Sequence, residues 1–265
     1  MAHRLASYVR AEGWLGREVI YYPVVDSTND VALAAAARDG VEGLVVVADE
    51  QRLGRGRLQR RWEAPAESSL LVSLLFRPPE PFDYHATRTL MAVGLALLDT
   101  VRNVVGIEAQ LKWPNDLIVN GERSGWRKLA GMLSEVGVSG SGEPVALVVG
   151  VGLNVNIAPK SVMGLGPNAS SLLTLTGHRV SRVQLLAHLL AGAEQRVEGV
   201  RQGVDLAPEW RAALAWIGQR VMVDGVGERV VGLAEDVDGE GALLLRLPDG
   251  GLRRFTAGDV TLRRA

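Results

Sequence analysis

Arginine and glycine are concentrated in one short segment of the sequence, QRLGRGRLQRRW at 51–62. The segment holds five arginines and no acidic residue, and glycines stand at positions 54 and 56. Guanidinium groups bind phosphate oxygens through paired hydrogen bonds, and glycine lets backbone amides approach an anion closely. The segment therefore predicts an anion-binding loop. Its spacing matches neither the dinucleotide fingerprint nor the P-loop, so the residues alone leave a solvated basic loop or an RNA-contacting cluster as alternatives.

A lysine in the segment LKWPNDLIV at 111–119 is the second feature that indicates chemistry. Only three of the 29 basic residues are lysines, so each either supplies a compact, mobile point charge that arginine cannot or is a chance residue on a solvated surface. Lys112 stands at a predicted strand end, before Asn115 and Asp116. Buried beside two anions that must react, its ammonium would offset their repulsion and stabilise charge in the transition state. The alternative is an ordinary strand-turn-strand unit with a core tryptophan.

The segment GVGLNVNI at 150–157 combines glycines with asparagine in a predicted strand. Glycine permits close approach of another group to the strand, and asparagine supplies both a hydrogen-bond donor and an acceptor. The four histidines, His3, His85, His178 and His188, lack a metal-ligand spacing such as HExxH. We therefore expect no metal site made by protein ligands alone.

Alternating strands and helices are predicted around these segments. Ser27 has the character of an N-cap, and Asp30 stands where a capping box needs an acidic group, ahead of an alanine-rich helix. Apolar and β-branched runs predict a mixed α/β region with buried strands. The predicted strands are 18–25, 44–49, 69–76, 109–113, 116–119, 128–138 and 144–155, and the predicted helices are 31–38, 87–105, 181–201 and 206–217.

The residues after 217 have a different pattern. Short β-branched runs alternate there with turn pairs at 224–225, 238–239 and 249–251, which is typical of a small barrel of hairpins. We therefore predict an α+β protein with two domains. A mixed β-sheet with helices packed on it would occupy residues 1–216, and a small β-barrel would occupy residues 217–265.

The composition excludes several classes of protein. With 47% hydrophobic and 22% charged residues it is globular in character, and no apolar run is long enough to span a membrane. The lack of cysteine and of a secretory signal at the N-terminus favours the cytoplasm. A net charge of -1 argues against nucleic-acid binding by bulk charge, so no DNA partner is expected.

The chain carries five motifs in order: DSTN at 26–29, QRLGRGRLQRRW at 51–62, KWPND at 112–116, RKLAGMLSE at 127–135 and GVGLNVN at 150–156. In motif, order and approximate spacing they resemble the biotin-protein ligases over nearly the whole chain. The resemblance implies a class II synthetase-like catalytic domain followed by an SH3-like domain. It also implies that biotin is converted to biotinyl-5'-AMP with ATP and transferred to a lysine of a biotin carboxyl carrier protein domain. Magnesium (Mg2+) would arrive with ATP.

The resemblance further implies roles for individual residues. Lys112 would contact the reacting carboxylate and phosphate, and Arg57 would hold the phosphate of the adenylate, so these two are the expected catalytic residues. The expected biotin-binding residues are Ser27, Thr28, Asn29, Gln51, Gly54, Arg55, Gly56, Arg57 and Lys112. The expected nucleotide-binding residues are Arg57, Arg60, Trp62, Lys112, Asn115, Asp116, Lys128 and Asn154.

Two features depart from the family pattern. The segment between Asp116 and Lys128 is several residues longer than the usual hairpin, which bears on the roles of Trp126 and Lys128. The residues before the first predicted strand are too few for a DNA-binding winged helix, so a ligase that is not a repressor is expected.

Three further expectations concern the assembly of the protein and its alternative functions. Family members often pair through sheet edges, which makes a homodimer one candidate assembly. A lipoate or other acyl-protein ligase is the nearest alternative function, because it would use the same adenylation chemistry on a different acid. A nucleic-acid-binding protein is an alternative of another class, although it predicts more aromatic residues than the 5% present.

Overall fold

The computed structural model of the protein describes residues 13–38, 40–58, 60–121, 125–158, 161, 165, 168–225, 228–256 and 260–264. These residues form two β-sheets, and the larger sheet has helices on both of its faces. The mixed sheet with packed helices and the separate smaller sheet confirm the predicted α+β class. Lys160, which is the third lysine of the sequence, and His3 lie outside the described residues.

The larger sheet contains β1 (Val19–Val25), β2 (Val45–Gln51), β3 (Ser69–Phe76), β4 (Gln110–Lys112), β5 (Asp116–Val119), β6 (Arg127–Val138) and β7 (Pro144–Asn154). Their order across the sheet is β1-β2-β3-β7-β6-β5-β4. Only β1 and β2 pair in parallel, and every other neighbouring pair in this described sheet is antiparallel. All eight residues of β3 are buried, since it lies near the middle of a sheet that is covered on both faces.

The helices are α1 (Thr28–Ala36), α2 (Phe82–Val105), α3 (Leu172–Thr176), α4 (Arg182–Arg201) and α5 (Ala207–Ala213). Successive side chains of a strand point to opposite faces, so the larger sheet buries two separate layers. Ala32 and Ala36 of α1 pack with Val46 on one face. The adjacent Val47 joins the larger core formed with α2 and α4 on the other. None of the described helices is long and apolar enough to cross a membrane.

Several predicted elements agree closely with the structure. β3 and β5 have the predicted ends, and β1, β6 and β7 differ by one residue at a single end. Ser181 is the N-cap of α4, and its hydroxyl accepts a hydrogen bond from the Gln184 amide at 3.3 Å. Side-chain capping of this kind is readable from sequence because it depends on neighbouring residues alone.

Four helices differ from the prediction by more than one residue. α1 spans Thr28–Ala36 rather than 31–38. α2 begins at Phe82 rather than at residue 87, and the Glu80 carboxylate accepts a hydrogen bond from the Phe82 amide at 2.9 Å. α5 ends at Ala213, before the predicted end at 217, because the following chain runs beside β4 and Ala215 donates to the Leu111 carbonyl at 2.7 Å. The short helix α3 has no counterpart among the predicted helices.

The smaller sheet contains β8 (Arg220–Gly225), β9 (Arg229–Val237), β10 (Leu243–Arg246), β11 (Leu252–Phe255) and β12 (Val260–Arg264). They are antiparallel throughout and lie in the order β11-β10-β9-β8-β12. The predicted turns at 238–239 and 249–251 fall between β9, β10 and β11, which confirms the hairpin pattern. Residues 226–227, after the predicted turn pair at 224–225, lie outside the described part of the chain.

A buried ion pair holds α4 against the strands. Arg182 donates to one carboxylate oxygen of Asp49 in β2 at 2.8 Å, and the Tyr21 hydroxyl in β1 donates to the other oxygen. The hydrogen bond to Asp49 is the main reason that the pKa of Tyr21 is raised to about 12. Arg182 also donates to the Ser69 carbonyl at the start of β3, at 3.2 Å. One guanidinium group therefore ties α4 to β2 and β3.

Replacement of Arg182 should reveal how much this pair stabilises the fold. Arg182→Ala is expected to lower the free energy of unfolding by about 3 kcal/mol, because it leaves the buried Asp49 carboxylate without its cation. Urea denaturation at neutral pH measures the change. Arg253→Ala is the control, because Arg253 pairs with Glu228 at the surface, where solvent screens the pair and it adds little stability. Equal losses in the two variants would contradict the importance of burial.

Candidate active site

A cavity of about 540 Å³ lies between the N-terminus of α1, the loop residues 55–58 and 60–63, and the strands β6 and β7. Gly54 is the one predicted site residue that does not line it; the Gly54 carbonyl instead accepts a hydrogen bond from the Trp62 amide at 2.8 Å. A Cβ at Gly54 would lie 2.4 Å from the Trp62 carbonyl oxygen, so glycine there shapes the loop. The predicted residues in the lining are Ser27, Thr28, Asn29, Gln51, Arg55, Gly56, Arg57, Arg60, Trp62, Lys112, Asn115, Asp116, Lys128 and Asn154.

The first turn of α1 presents buried polar groups to the cavity. Ser27 is the N-cap, as predicted, with an extended backbone, but its hydroxyl makes no capping hydrogen bond. Gln51, at the end of β2, accepts hydrogen bonds from the Thr28 amide at 2.8 Å and the Thr28 hydroxyl at 3.0 Å. The predicted capping box is wrong, because the Asp30 carboxylate binds Arg55 instead. The side chains of Ser27, Thr28, Asn29 and Gln51 thus form a polar wall of the cavity at the start of the helix.

Hydrogen bonds to β3 and β6 hold the side chains of this polar wall in place. The Ser73 hydroxyl in β3 donates to Asn29 Oδ1 at 2.5 Å and lies 2.7 Å from the Thr28 hydroxyl oxygen. The side-chain amide of Asn29 donates to Glu135 in β6 at 2.6 Å. Ser73 and Glu135 were not among the predicted site residues. The available signal for Ser73 was a hydroxyl within the otherwise apolar run of β3.

Two glycines of β7 allow side chains to lie directly on the strand, as the sequence predicted. A Cβ at Gly150 would lie 2.3 Å from Asn29 Oδ1, and a Cβ at Gly152 would lie 2.5 Å from Trp62 Cε2. Neither distance is compatible with a larger residue unless the neighbour moves. Gly131 in β6 also approaches the Trp62 ring, at 3.2 Å from a Cβ built there. The indole therefore packs directly against the two strands.

The arginine-rich loop is attached at two places. Arg55 donates to both oxygens of Asp30, at 2.8 and 2.5 Å, and to the Glu135 carboxylate at 3.1 Å. Arg57 donates to Asn115 Oδ1 at 3.2 Å. The Asn115 side chain in turn donates to the Met132 carbonyl at 2.5 Å. One arginine thus holds the loop to α1, and the other reaches the turn that follows Lys112.

Lys112 is a buried cation, with 6% of its surface exposed. Asp116 is its carboxylate partner, at 3.5 Å from Nζ, but the other oxygen of Asp116 lies 2.6 Å from Lys128 Nζ. Burial is the main reason that the pKa of Lys112 is lowered, and Asp116 opposes this effect. The positive charges of Lys128 and Arg60 lower the pKa of Lys112 as well. The cavity therefore concentrates positive charge at this end.

Two polar atoms in the lining residues lack a hydrogen-bond partner within the described structure. The Asn154 amide donates to the Ser170 carbonyl at 3.0 Å, while its Oδ1 is buried and unpaired. The indole N–H of Trp62 is also buried without a partner. Buried polar groups are normally paired, so an unpaired acceptor and an unpaired donor beside a cavity indicate a ligand that would satisfy them.

Two tryptophans complete the surroundings of Lys112. Trp126, at the end of the long segment before β6, lines the cavity with its ring centroid 4.8 Å from Lys112 Nζ. Trp216, after α5, has its ring centroid 5.6 Å from the same atom. The sequence contained no local signal for Trp216, which is 104 positions away and is brought to Lys112 by the tertiary fold. Residues 122–124 of the long segment lie outside the described residues.

Two known families match the chain. Residues 21–154 match the biotin/lipoate A/B protein ligase family, and residues 216–263 match the biotin protein ligase C terminal domain. The biotin--[acetyl-CoA-carboxylase] ligase of Mycobacterium tuberculosis is 36% identical over 258 residues, covering 94% of this chain and 89% of the relative. The bifunctional ligase/repressor BirA of Bacillus subtilis is 30% identical over 251 residues, covering 94% of this chain and 75% of the relative.

A solved structure has the same fold. The biotin protein ligase from Aquifex aeolicus in complex with biotin and ATP superimposes with a TM-score of 0.77, at 24% sequence identity. The match covers 94% of this chain and 100% of that chain, so it includes both sheets. At this level of identity the likeness concerns the fold.

The close packing of Trp62 on Gly152 gives a test that needs no ligand. Gly152→Ala is expected to lower the free energy of unfolding by about 1–3 kcal/mol, because the new methyl group displaces the half-buried indole. Gly140→Ala is the control, since a Cβ at Gly140 would meet no atom within 4 Å. Urea denaturation measures both variants. A loss in Gly152→Ala no larger than in the control would contradict the observed contact.

Proposed function

The chain belongs to the biotin/lipoate A/B protein ligase family, and we propose that it converts biotin and ATP to biotinyl-5'-AMP and then biotinylates a lysine of a carrier protein. Relatives matched along most of the chain are named biotin--[acetyl-CoA-carboxylase] ligases, which favours biotin over lipoate within the family. One observation carries the proposal. The buried ammonium of Lys112 lines the same cavity as Arg57 and the polar wall at Thr28.

The first step joins two anions. A carboxylate oxygen of biotin attacks the α-phosphorus of ATP, and the bond from that phosphorus to pyrophosphate breaks. Positive charge held beside both reactants offsets their repulsion and stabilises the charge that develops on the phosphate. Lys112 is suited to this role because it is fixed at the end of β4 and shielded from water. Arg57 reaches the same turn through Asn115.

The second step transfers the acyl group. The neutral amine of the carrier lysine attacks the acyl carbon of biotinyl-5'-AMP, and AMP leaves with the electron pair of the broken bond. The attacking nitrogen then releases a proton to solvent, which leaves a neutral amide. No side chain of the enzyme becomes acylated. The protein contributes orientation and charge, and closure of the loop that contains Arg55, Gly56 and Arg57 would keep water from the reactive anhydride.

The polar wall of α1 is the proposed site for the ureido ring of biotin. The ring carries N–H donors and a carbonyl acceptor, and a matching set of hydroxyl and amide groups lines this part of the cavity. Ser27, Thr28, Asn29 and Gln51 supply these groups, with Ser73 holding Asn29 in place. A dithiolane ring would offer these groups no hydrogen-bond partner, which disfavours lipoate.

The region around Trp62 is the proposed nucleotide site. Adenine presents both acceptors and a donor on its edge, which matches the unpaired N–H of Trp62 and the unpaired Oδ1 of Asn154. Lys128 has its Nζ 5.4 Å from the centroid of a Trp62 ring, where its charge can meet a phosphate. Arg60, Asn115 and Asp116 line the same end of the cavity.

Magnesium is proposed to enter bound to ATP. The two carboxylates in the described lining are already paired with cations: Asp116 with Lys128 at 2.6 Å, and Glu63 with Arg61 at 3.9 Å. A cation carried by the triphosphate requires no further protein carboxylate, because phosphate oxygens and water complete its coordination.

A biotin carboxyl carrier protein domain is the proposed acceptor, in line with the acetyl-CoA carboxylase in the names of the relatives. The boundary between a catalytic domain at 1–216 and an SH3-like domain at 217–265, the cytoplasmic location and the formation of a homodimer stay predictions.

Exchange of labelled pyrophosphate into ATP tests the proposed function directly. The exchange should require biotin and magnesium, because only a reversible adenylation step returns pyrophosphate to ATP. Lipoate and octanoate are the controls for the nature of the acid. Exchange that proceeds with lipoate and fails with biotin would replace the proposed substrate, and failure with all three acids would reject adenylation.

Removal of the Lys112 charge should disable the first step. Lys112→Ala and the better volume match Lys112→Met are expected to slow biotin-dependent exchange by about 100-fold to 1000-fold, the scale of a lost transition-state contact. The measurement is kcat for exchange at saturating substrates, with the free energy of unfolding followed in parallel. A folded variant that retains near-normal kcat would refute the role of Lys112.

Removal of Arg57 should affect retention of the intermediate. Arg57→Gly is expected to release biotinyl-5'-AMP into solution, where it labels lysines of bystander proteins several-fold faster than with the parent enzyme. Arg52→Gly is the matched control, because Arg52 belongs to the same loop but does not line the cavity. Counting biotinylated lysines on serum albumin by mass spectrometry measures the release. A variant no leakier than Arg52→Gly would contradict the loop's role.

A further inference from the structure

The buried charge of Lys112 is only partly balanced by a carboxylate. Asp116 lies 3.5 Å from Lys112 Nζ but is closer to Lys128, at 2.6 Å. One carboxylate therefore serves two ammonium groups, and Arg60 adds a further positive charge to the surroundings. A buried ammonium needs fixed partners to replace lost hydration, so Lys112 requires stabilisation beyond Asp116.

Two indole rings are placed to provide it. The ring centroids of Trp126 and Trp216 lie 4.8 and 5.6 Å from Lys112 Nζ, within the range in which an aromatic face attracts a cation. The two rings also contact each other edge to face, with centroids 6.0 Å apart and planes at 70°. Their mutual packing limits the movement of either ring, so both stay in position around the ammonium.

The backbone of Trp216 is in a strained conformation. Its φ angle is 72°, in the left-handed region that a bulky side chain rarely adopts. The preceding residue, Ala215, donates to the Leu111 carbonyl at 2.7 Å, so the segment is in register with the residue beside Lys112. Strained conformations persist where the surrounding structure determines them, and they are concentrated at functional sites.

We propose that Trp126 and Trp216 are positioning residues that form an aromatic cage around the Lys112 ammonium, hold it in place and stabilise its charge between the two anionic substrates. This inference rests on the proposed function, because it gives the cage its purpose in adenylation. It assigns a role to the long segment before β6, which ends in Trp126. It also gives the chain after α5 a direct part in the active site.

The cage predicts a specific dependence on pH. Burial, Lys128 and Arg60 lower the pKa of Lys112, and Asp116 raises it. An aromatic face acts in the same direction as Asp116, because it favours the charged form. Lys112 functions as a cation, so the rate of adenylation falls as pH rises through its pKa. Loss of a ring lowers that pKa further, and the alkaline decline then begins at a lower pH.

The test compares Trp126→Leu and Trp216→Leu with Trp126→Phe and Trp216→Phe. The alkaline limb of kcat for pyrophosphate exchange is expected to move down by about one pH unit in the leucine variants, and the phenylalanine variants should recover most of it. Trp14→Leu is the matched control, because the Trp14 ring contacts Arg201 at 4.7 Å, away from the cavity. Its pH profile should match that of the parent enzyme.

A second measurement does not depend on activity. The rate at which the Lys112 amine reacts with an amine-directed acylating reagent, followed by peptide mapping at increasing pH, reports its pKa in every variant. If the pH dependence of Lys112 reactivity shifts in the leucine variants while the parent enzyme shows no exchange, the cage is supported and the proposed function is rejected. Normal exchange in the parent with unshifted reactivity in both leucine variants would overturn the cage.

Two further outcomes are decisive. A higher KM for ATP with an unmoved alkaline limb in Trp126→Leu would mean that Trp126 contacts the nucleotide instead, and would overturn the proposal. If Trp216→Leu does not fold, Trp126→Leu decides, because Trp126 is only partly buried and packs against the core from its edge.

Discussion

The burial of one ammonium group, that of Lys112, sets requirements for everything around it. A cation that loses its hydration must find fixed partners, and here Lys112 and Lys128 share Asp116 while Arg60 adds to the positive charge. This arrangement is unfavourable in the free protein. In the proposed function, the negative charges of the bound substrates would relieve it, because they would balance the positive charge that Asp116 leaves unpaired. The feature that costs stability before binding would then favour the bound state, in which charge develops.

The arginine-rich loop meets this centre through two side chains with different partners. Arg55 is held by the carboxylates of Asp30 and Glu135, while Arg57 is held by the neutral amide of Asn115. Arginine suits the first position because its planar fork matches two carboxylate oxygens at once. The two arginines flank Gly56 in the sequence. Arg55 fixes the loop to α1, and Arg57 binds the turn after Lys112.

Local patterns predicted the strands and the motifs, whereas tertiary contacts decided the rest of the site. β3 was correct to the residue because a short, mostly apolar run bounded by turn residues is typical of a buried strand. Most predicted site residues meet in one cavity because they belong to motifs that a family resemblance identifies. Ser73 and Trp216 were not predicted, because each reaches the site only through the packing of segments that are distant in the sequence. The capping-box prediction was wrong for a related reason. The Asp30 carboxylate binds Arg55, a charged partner from another segment, rather than a backbone amide of its own helix.

The smaller sheet takes part in the construction of the active site. The Trp113 indole donates to the Gly241 carbonyl at 3.0 Å, and Ala215 donates to the Leu111 carbonyl at 2.7 Å. These two hydrogen bonds hold the residues on either side of Lys112. A hydrogen bond to each neighbour restricts both the position and the direction of the side chain between them. The β9–β10 turn of the smaller sheet and the segment before that sheet therefore both help to position Lys112.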